Sequence, residues 1–215
     1  MGGFTGFDAM AFEFYDRLAA DPTKSWWEAN REDYQRYVRA PMLELAEQME
    51  PEFGPVKLFR PYRDVRFSRD KTPYKDHQGM FAESSEGVGW YLQVSATGLM
   101  VAGGWYSATG DQVQAFRAAV DDPDGATEFR SILADVEASG LMVSGDRLKT
   151  RPRGVPADHP NLDLLRYRSV IAERSWPAGP ELGEPGVAEL VVENWRAMRP
   201  MTAWLTAAVG GSDGS

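Results

Sequence analysis

Two stretches of alternating residues separated by a short turn constrain the fold more than any other part of the sequence. Trp90, Leu92 and Val94 alternate with less apolar residues, which is the spacing of a strand with one buried face. Residues 96–98, Ala-Thr-Gly, supply a turn with a glycine available for positive φ. The alternation resumes in residues 99–103. The pattern predicts an antiparallel β-hairpin.

The residues before this hairpin have helical spacing. Apolar side chains recur every three or four positions in residues 7–18, as on one face of a helix. Further on, Ser25 and Glu28 form a capping-box pattern. We expect the helix that follows to run to about Arg39 and to break at Pro41, because proline clashes with the preceding turn.

Helical spacing returns after the hairpin, interrupted by short β-favouring stretches. The pattern predicts helices at residues 109–120, 122–140 and 187–209, the last interrupted at Pro200, and short strands near residues 141–150 and 168–176. Strands that follow one another without a crossover helix indicate the α+β class.

The expected fold is therefore a single α+β domain over residues 1–209. An antiparallel sheet forms its centre, and helices from both ends of the chain pack on it. Residues 210–215 are rich in glycine and serine, and we expect them to form a disordered tail.

The segment from Lys57 to Lys75 concentrates positive charge in an acidic chain. It holds seven basic residues and two acidic ones, Asp64 and Asp70, for a net charge of +5. The rest of the chain keeps 16 of the 23 basic and 30 of the 32 acidic residues, a net charge of −14. An excess of this kind indicates either a binding site for an anion or a folded network of ion pairs.

The two interpretations assign different roles to the same side chains. If Phe59 to Phe67 is a strand, alternate residues from Arg60 to Ser68 share one face. As an anion site, the segment binds the ligand through a set of cations oriented by two carboxylates: Arg63, Arg66, Lys71 and Lys75, oriented by Asp64 and Asp70. As an ion-pair network, Asp64 and Asp70 pair with neighbouring arginines and hold the segment in place.

A second basic run begins after Asp146, with basic side chains at every second position from Arg147 to Arg153. In an extended segment these side chains point the same way and repel one another, so either an anionic ligand or acidic side chains should face them. Arg151 is therefore a further candidate contact for an anion.

These segments resemble the DUF2461 family. The resemblance is carried by the run RDVRFSRDKTPYK and by four further segments: Phe4–Phe7, Ser25–Pro41, Gly89–Tyr106 and Arg151–Pro160. The chain departs from the family pattern at residues 20–24. The resemblance implies one compact domain and assigns no reaction to it.

Candidates for acid–base chemistry lie in and beside the same motif: Asp70, Lys71, Tyr74 and His77. A lysine crowded by arginines has its charged form disfavoured, which is one route to a reactive amine. The sequence leaves open whether the protein transforms its ligand. It contains no carboxylate or histidine cluster at metal-ligand spacing, and we predict no metal and no cofactor.

Composition limits the kinds of site, location and partner that are expected. The sequence has no cysteine and only two histidines, His77 and His159, so thiolate chemistry and histidine-rich metal sites are excluded, and a cytoplasmic location is expected. The net charge of −9 argues against nucleic acid as a partner. There is no signal peptide and no apolar stretch of 18 residues, so we expect no membrane span. The oligomeric state stays open.

Two functions from different classes follow. The first is a cationic pocket for a small phosphorylated or carboxylated ligand. The second is a non-catalytic interaction module, in which the motif is an ion-pair network and an exposed ring of the Trp26–Trp27 pair contacts a partner.

Overall fold

A six-stranded antiparallel sheet with helices before and after it in the chain forms the fold. The computed structural model describes residues 3–64 and 72–210. Within these ranges the α-helices are α1 (Ala9–Ala20), α2 (Lys24–Ala29), α3 (Arg31–Asp33), α4 (Ala40–Phe53), α5 (Gly110–Asp121), α6 (Pro123–Ala138), α7 (Leu162–Leu165) and α8 (Val187–Val209). A π-helix, Tyr34–Arg39, joins α3 to α4, and a 3₁₀ helix spans Pro180–Gly183. The predicted α+β class is confirmed.

The strands are β1 (Val56–Leu58), β2 (His77–Ser85), β3 (Val88–Ser95), β4 (Gly98–Trp105), β5 (Met142–Ser144) and β6 (Val170–Pro177). Their spatial order is β1-β2-β3-β4-β6-β5. Strand β1 pairs with β2 in the register Lys57↔Phe81, and β5 pairs with β6 in the register Val143↔Ala172. The predicted hairpin is β3–β4, and its turn ends at Gly98 with φ of +127°.

The N-terminal helices differ from the prediction at a cap and at a proline. Thr23, not Ser25, caps α2, because its hydroxyl accepts a hydrogen bond from the Trp26 amide. Pro41 does not break the helical segment. It lies in the first turn of α4, where a missing N–H is tolerated. The π-helix directly before it provides the wider turn that accommodates the ring, with the Ala40 amide donating to the Gln35 carbonyl.

Helix α8 has the predicted bounds but no interruption at Pro200. A proline inside a helix costs about 3 kcal/mol. Trp195, Met198 and Leu205 are fully buried on one face of α8, and their burial continues in helical register across the proline. This burial outweighs the cost of the lost hydrogen bond.

The chain divides into two compact units. The first comprises Met1–Ala82, Tyr91–Val101 and Ser175–Glu193. Its core is rich in aromatic side chains, among them Phe7, Phe14, Tyr15, Trp27 and Tyr34. The second comprises Glu83–Trp90, Ala102–Arg174 and Asn194–Ser215, with a core that includes Trp105, Phe116, Phe129, Tyr167 and Trp195. The predicted division into one domain and a tail stays a prediction, and residues 211–215 lie outside the described residues.

Candidate functional site

The described part of the cationic motif forms a short antiparallel pair rather than one long strand. Strand β1 ends at Leu58, so the predicted strand from Phe59 does not form there. Instead, the Arg63 amide donates to the Pro73 carbonyl at 2.9 Å, and the Lys75 amide donates to the Pro61 carbonyl at 2.8 Å. The chain leaves β1 and returns toward β2 through this pair, which fixes the motif at the edge of the first unit's sheet.

Alternation along the pair separates aromatic from cationic side chains. Tyr62 and Tyr74 are directly opposite each other and share one face, whereas Arg63 and Lys75 share the other. Two of the predicted anion contacts are therefore brought together. A two-residue period within the motif produces one face for packing and one face of like charge.

The aromatic face packs on Trp27. The Trp27 and Tyr74 rings stack with centroids 4.3 Å apart and planes 10° apart, and Tyr62 lies 6.0 Å from Trp27. Trp27 is buried, while its neighbour Trp26 is half-buried beside Phe14. The pair therefore divides as predicted, with one ring in the core, and Trp27 serves as the base on which the motif rests.

The orienting roles of Asp64 and Asp70 stay predictions. On the cationic face, one carboxylate that faces Arg63 is that of Asp76. Its Oδ1 lies 3.2 Å from the Arg63 guanidinium and accepts a hydrogen bond from His77 Nδ1 at 2.9 Å. Burial alone would raise the pKa of Asp76, but the hydrogen bond from His77 and the charges of His77 and Arg63 hold this pKa below its usual value. The dipeptide Asp76–His77 next to the motif is the sequence signal for this pair.

Lys75 is placed differently from Arg63. Its Nζ lies 5.0 Å from the centroid of the Phe59 ring, and it has no carboxylate partner among the described residues. Burial lowers the pKa of Lys75, and the charges of Arg60 and Arg63 lower it further. The surroundings of Lys75 thus disfavour its ammonium form.

The first unit has a cavity of about 220 Å³, and Trp27 and Tyr62 of the aromatic face help to line it. Three arginines, Arg31, Arg39 and Arg60, contribute to its wall, and among the described residues that line it none is acidic. The other lining residues are mainly aromatic or apolar: Trp27, Tyr34, Gln35, Leu58, Phe59, Pro61 and Tyr62. The arrangement is a small cationic cavity with an aromatic wall.

Arg31 and Arg39 were not predicted as site residues. Their spacing of eight is one residue too long for two turns of an α-helix. The π-helix Tyr34–Arg39, which ends at the second of them, takes up an extra residue, as such insertions commonly do at functional sites. Both residues consequently line the same cavity. A sequence pattern read with a strict helical period does not detect this pair.

A buried polar network holds the wall of the cavity. The Tyr34 hydroxyl donates to Gln78 Oε1 at 2.6 Å, and Gln78 Nε2 donates to the Phe59 carbonyl at 2.7 Å. Burial raises the pKa of Tyr34 to about 12, although the charge of Arg39 opposes the rise. The phenol therefore stays neutral and keeps its hydrogen bond at neutral pH.

The remaining predicted residues are not brought into this arrangement by the described structure. Arg66, Asp70 and Lys71 lie outside the described residues. Asp64 is exposed at the end of the pair. Arg151 is exposed in the second unit and has no carboxylate partner among the described residues, so its role as an anion contact stays a prediction.

The second basic run is not extended. Arg147 pairs with Tyr167 in an isolated bridge, and the backbone then bends at residues 149–150 and turns at residues 153–154. The expectation that alternate side chains of this run point the same way is therefore wrong beyond residue 148. Arg166 donates hydrogen bonds to the Leu148 and Lys149 carbonyls, and these bonds hold the backbone where it bends.

Of the four acid–base candidates, Tyr74 and His77 lie within the described residues. Burial, followed by the influence of Tyr62 and Glu28, raises the pKa of the Tyr74 phenol, and its ring is held against Trp27. His77 directs Nδ1 at Asp76, at 2.9 Å. Among the described residues, no group of three or more histidine and acidic residues is arranged to hold a metal ion, and no helix there is long and apolar enough to cross a bilayer.

Comparison with known protein families agrees with the resemblance that the motif carries. No curated protein matches the sequence. The family described as conserved hypothetical protein (DUF2461) matches residues 10–204, which include the cationic motif, the π-helix and all the lining residues of the cavity. This chain therefore belongs to the DUF2461 family.

Proposed function

We propose that this protein binds a small phosphorylated or carboxylated molecule in the cavity of the first unit. Arg31, Arg39 and Arg60, which line the cavity, are the anion contacts, and Lys75 stays a predicted contact. The observation that carries the proposal is the set of three guanidiniums in one cavity, with no acidic residue among its described lining. Arg66 and Lys71 stay predicted contacts from the motif.

Electrostatics supports a bound anion. Guanidiniums gathered around one space repel each other, and an anion between them removes that repulsion. Arginine forks bind carboxylate and phosphate oxygens in pairs, which adds geometric specificity.

The size of the cavity limits the ligand. Pockets for drug-sized molecules occupy roughly 300–1,000 Å³, and this cavity is about 220 Å³. We infer a compact ligand, or a ligand whose anionic end alone enters the cavity. Tyr62, half of whose surface is exposed, provides a ring at the cavity's edge for whatever remains outside.

The alternative function, a structural ion-pair network, is favoured for one residue. Arg63 pairs with Asp76, which also binds His77, as expected for an ion-pair network that holds the segment in place. We therefore assign Arg63 to holding the pair together and the cavity arginines to binding. The expected compartment stays the cytoplasm, since a chain without cysteine needs no oxidising environment.

Calorimetric titration with phosphate, pyrophosphate and succinate at fixed ionic strength tests the proposal. We expect one of these anions to bind, and Arg39→Gln or Arg60→Gln to weaken binding about tenfold or more, since each removes a charge-assisted pair. Arg36→Gln is the matched control, because Arg36 lies on the same π-helix but outside the cavity.

Binding that is equally weak in Arg36→Gln and Arg39→Gln would show only a general effect of charge. The absence of binding for all three anions would contradict the proposal. In a parallel thermal scan, an anion present at 100 times its Kd should stabilise the protein by about 2.7 kcal/mol.

A further inference from the structure

We propose that the ligand of this site carries a flat aromatic ring next to its anionic group, and that this ring stacks on Tyr62. The ligand class is then a small aromatic phosphate or carboxylate, which includes mononucleotides and simple aryl acids. This inference rests on the proposed function, because the arginines that bind the anion also bring the ring to the tyrosine. It goes beyond that function by naming the chemistry of the part of the ligand that the arginines do not bind.

Tyr62 lies both at the cavity and at the protein surface. It helps to line the cavity, and 52% of its surface is exposed. Among the described residues, two other large hydrophobic residues are exposed, Tyr106 and Met142, and neither lines this cavity. Single exposed rings are ordinary on a protein surface. The significance of Tyr62 therefore comes from its place beside three cavity arginines rather than from its exposure alone.

The other three aromatic rings that line the cavity have less surface to offer a ligand. Trp27 and Tyr34 are buried, and Phe59 is half-buried. Trp27 also stacks on Tyr74, with centroids 4.3 Å apart and planes 10° apart, so one of its faces is used within the protein. Tyr62 is therefore the lining ring with the most surface left for stacking.

Tyr62 contacts its aromatic neighbours at an angle. Its ring centroid lies 6.0 Å from that of Trp27 with the planes 55° apart, and 5.6 Å from that of Tyr74 with the planes 45° apart. These tilted contacts support the ring, but neither covers a face of it as a parallel stack does. Offset stacking with a ligand ring, at a centroid distance of about 4.5–7 Å, therefore has a face available among the described residues.

The backbone on both sides of Tyr62 is fixed before a ligand binds. The Pro61 carbonyl accepts a hydrogen bond from the Lys75 amide at 2.8 Å. The Arg63 amide donates to the Pro73 carbonyl at 2.9 Å. A ring held in this way loses little conformational freedom on binding, so more of the stacking free energy contributes to affinity.

The arginines and the ring suit two different parts of one ligand. Guanidinium forks pair with phosphate or carboxylate oxygens, whereas an aromatic face stacks on any flat ring. The cavity, of about 220 Å³, is smaller than the roughly 300–1,000 Å³ of common ligand pockets. The anionic group therefore enters the cavity, and the ring lies at the exposed edge, where Tyr62 is.

The charge of the whole chain restricts the ligand to a single small molecule. Binding of a nucleic acid polymer depends on the neutralisation of many phosphates, and this chain has a net charge of −9. One anionic group needs only the local cations, and the cavity lining supplies three arginines. A small aromatic anion satisfies both conditions.

Calorimetric titration with two pairs of phosphate monoesters tests the inference. Phenyl phosphate is compared with glycerol 3-phosphate, and adenosine 5′-monophosphate with ribose 5-phosphate, so that each pair shares its charged group and differs in the flat ring. We expect the ring-bearing ester to bind about tenfold more tightly, which corresponds to about 1.4 kcal/mol and is typical of stacking on one aromatic side chain. Tighter binding of adenosine monophosphate than of phenyl phosphate would identify a nucleotide, and the reverse order a simple aryl acid.

Three variants assign the preference to one ring. Tyr62→Leu should weaken binding of the ring-bearing esters about tenfold and of the other two esters less than about twofold. Tyr62→Phe keeps the ring and should restore the preference. Tyr106→Leu is the matched control, because Tyr106 is equally exposed, at 51%, but lies outside the cavity. Circular dichroism verifies that each variant is folded.

The outcomes separate this inference from the proposed function. Equal affinities within each pair, or a preference that survives Tyr62→Leu, would overturn the inference and leave the proposed function standing. Uncharged adenosine that binds as tightly as its monophosphate would contradict the proposed function, since the arginines would then contribute nothing. The absence of binding for all four esters would contradict both.

Discussion

Each unit of the chain contains a basic segment, and the arginines in and around the two segments have different surroundings. In the second unit, the Arg147 guanidinium lies 3.8 Å above the Tyr167 ring, and Arg168 pairs with Asp146. Arg166 donates to the carbonyls of Leu148 and Lys149, each at 2.7 Å. In the first unit, the cavity arginines Arg31, Arg39 and Arg60 have no carboxylate partner among the described residues.

The difference shows that clustered positive charge does not by itself indicate a binding site. What distinguishes the two groups of arginines is the set of groups that faces each guanidinium. In the second unit, an aromatic face, backbone carbonyls and one carboxylate are the counterparts of Arg147, Arg166 and Arg168. In the first unit, Arg60 lines a cavity together with Arg31 and Arg39, which lie outside the cationic segment, and we propose that these three bind a ligand.

The largest effect is expected at the aromatic base of the first segment. Trp27→Ala removes the stack with Tyr74 and the contact with Tyr34, and should lower the free energy of unfolding by about 3–5 kcal/mol. Urea denaturation measures this change. Trp26→Ala is the matched control, and because Trp26 is half-buried we expect it to cost less than half as much. Equal costs would show that the motif does not depend on Trp27.

A strongly alkaline pH should destabilise the first unit. Burial raises the pKa values of Tyr34 and Tyr91 to about 12, whereas an unfolded tyrosine titrates near 10. Between these values the unfolded state holds fewer protons, so stability is complete below pH 10 and falls as the pH rises toward 12.

We expect a loss of roughly 2 kcal/mol for each of these tyrosines by pH 12, allowing for partial solvent screening. Urea denaturation at a series of pH values, with tyrosinate absorbance recorded in parallel, measures it. Tyr91→Phe should flatten the decline, since phenylalanine has no proton to lose. A stability that does not change from pH 10 to 12 would contradict the burial assigned to these phenols.

Beside the second segment, at Arg166, the expected effect is smaller and purely structural. Arg166→Gln removes the pair of hydrogen bonds to the Leu148 and Lys149 carbonyls and should cost about 2 kcal/mol. Arg153→Gln, at an exposed position in the same region, should cost about 0.5 kcal/mol or less. Differential scanning calorimetry without added anions compares the two, and a neutral Arg166→Gln would remove the structural role proposed here.

The smallest effect is expected for the cavity arginines when no ligand is present. Arg39→Gln and Arg60→Gln should change the free energy of unfolding by no more than about 0.5 kcal/mol, because neither breaks an ion pair within the described structure and Arg60→Gln relieves repulsion at Lys75. Chemical denaturation in low-phosphate buffer gives this value. A loss as large as that of Arg166→Gln would make the two segments alike and favour the ion-pair network for both.

Much of the secondary structure was predictable because it depends on local patterns. Thr109 and Gln112 form a capping box at the start of α5, and the apolar stripe of α8 extends over the predicted bounds. The prolines were less predictable. Pro41 and Pro200 both lie inside helical segments. The π-helix accommodates Pro41, and the burial of one face of α8 offsets the free-energy cost of Pro200, so the local sequence alone overstates how strongly these prolines disrupt a helix.

The candidate site was only partly predictable. Arg63 and Lys75 belong to the expected cationic motif and share a face, and Arg63 pairs with Asp76, which was not predicted as a site residue. Arg31 and Arg39 were missed because their approach depends on a π-helix, which has no clear signature in the sequence. Their partner Arg60 comes from a separate part of the chain, and only the folded backbone brings the three together.

By itself the sequence determined the α+β class, the central hairpin and the presence of a cationic motif, because hydrophobic period, turn residues and net charge are local properties of the chain. The tertiary structure decided which cations are satisfied and which surround a cavity. That distinction depends on the groups that face each guanidinium or ammonium: Tyr167 and backbone carbonyls in one segment, Phe59 and further arginines in the other. These neighbours come from distant positions, so no local pattern specifies them.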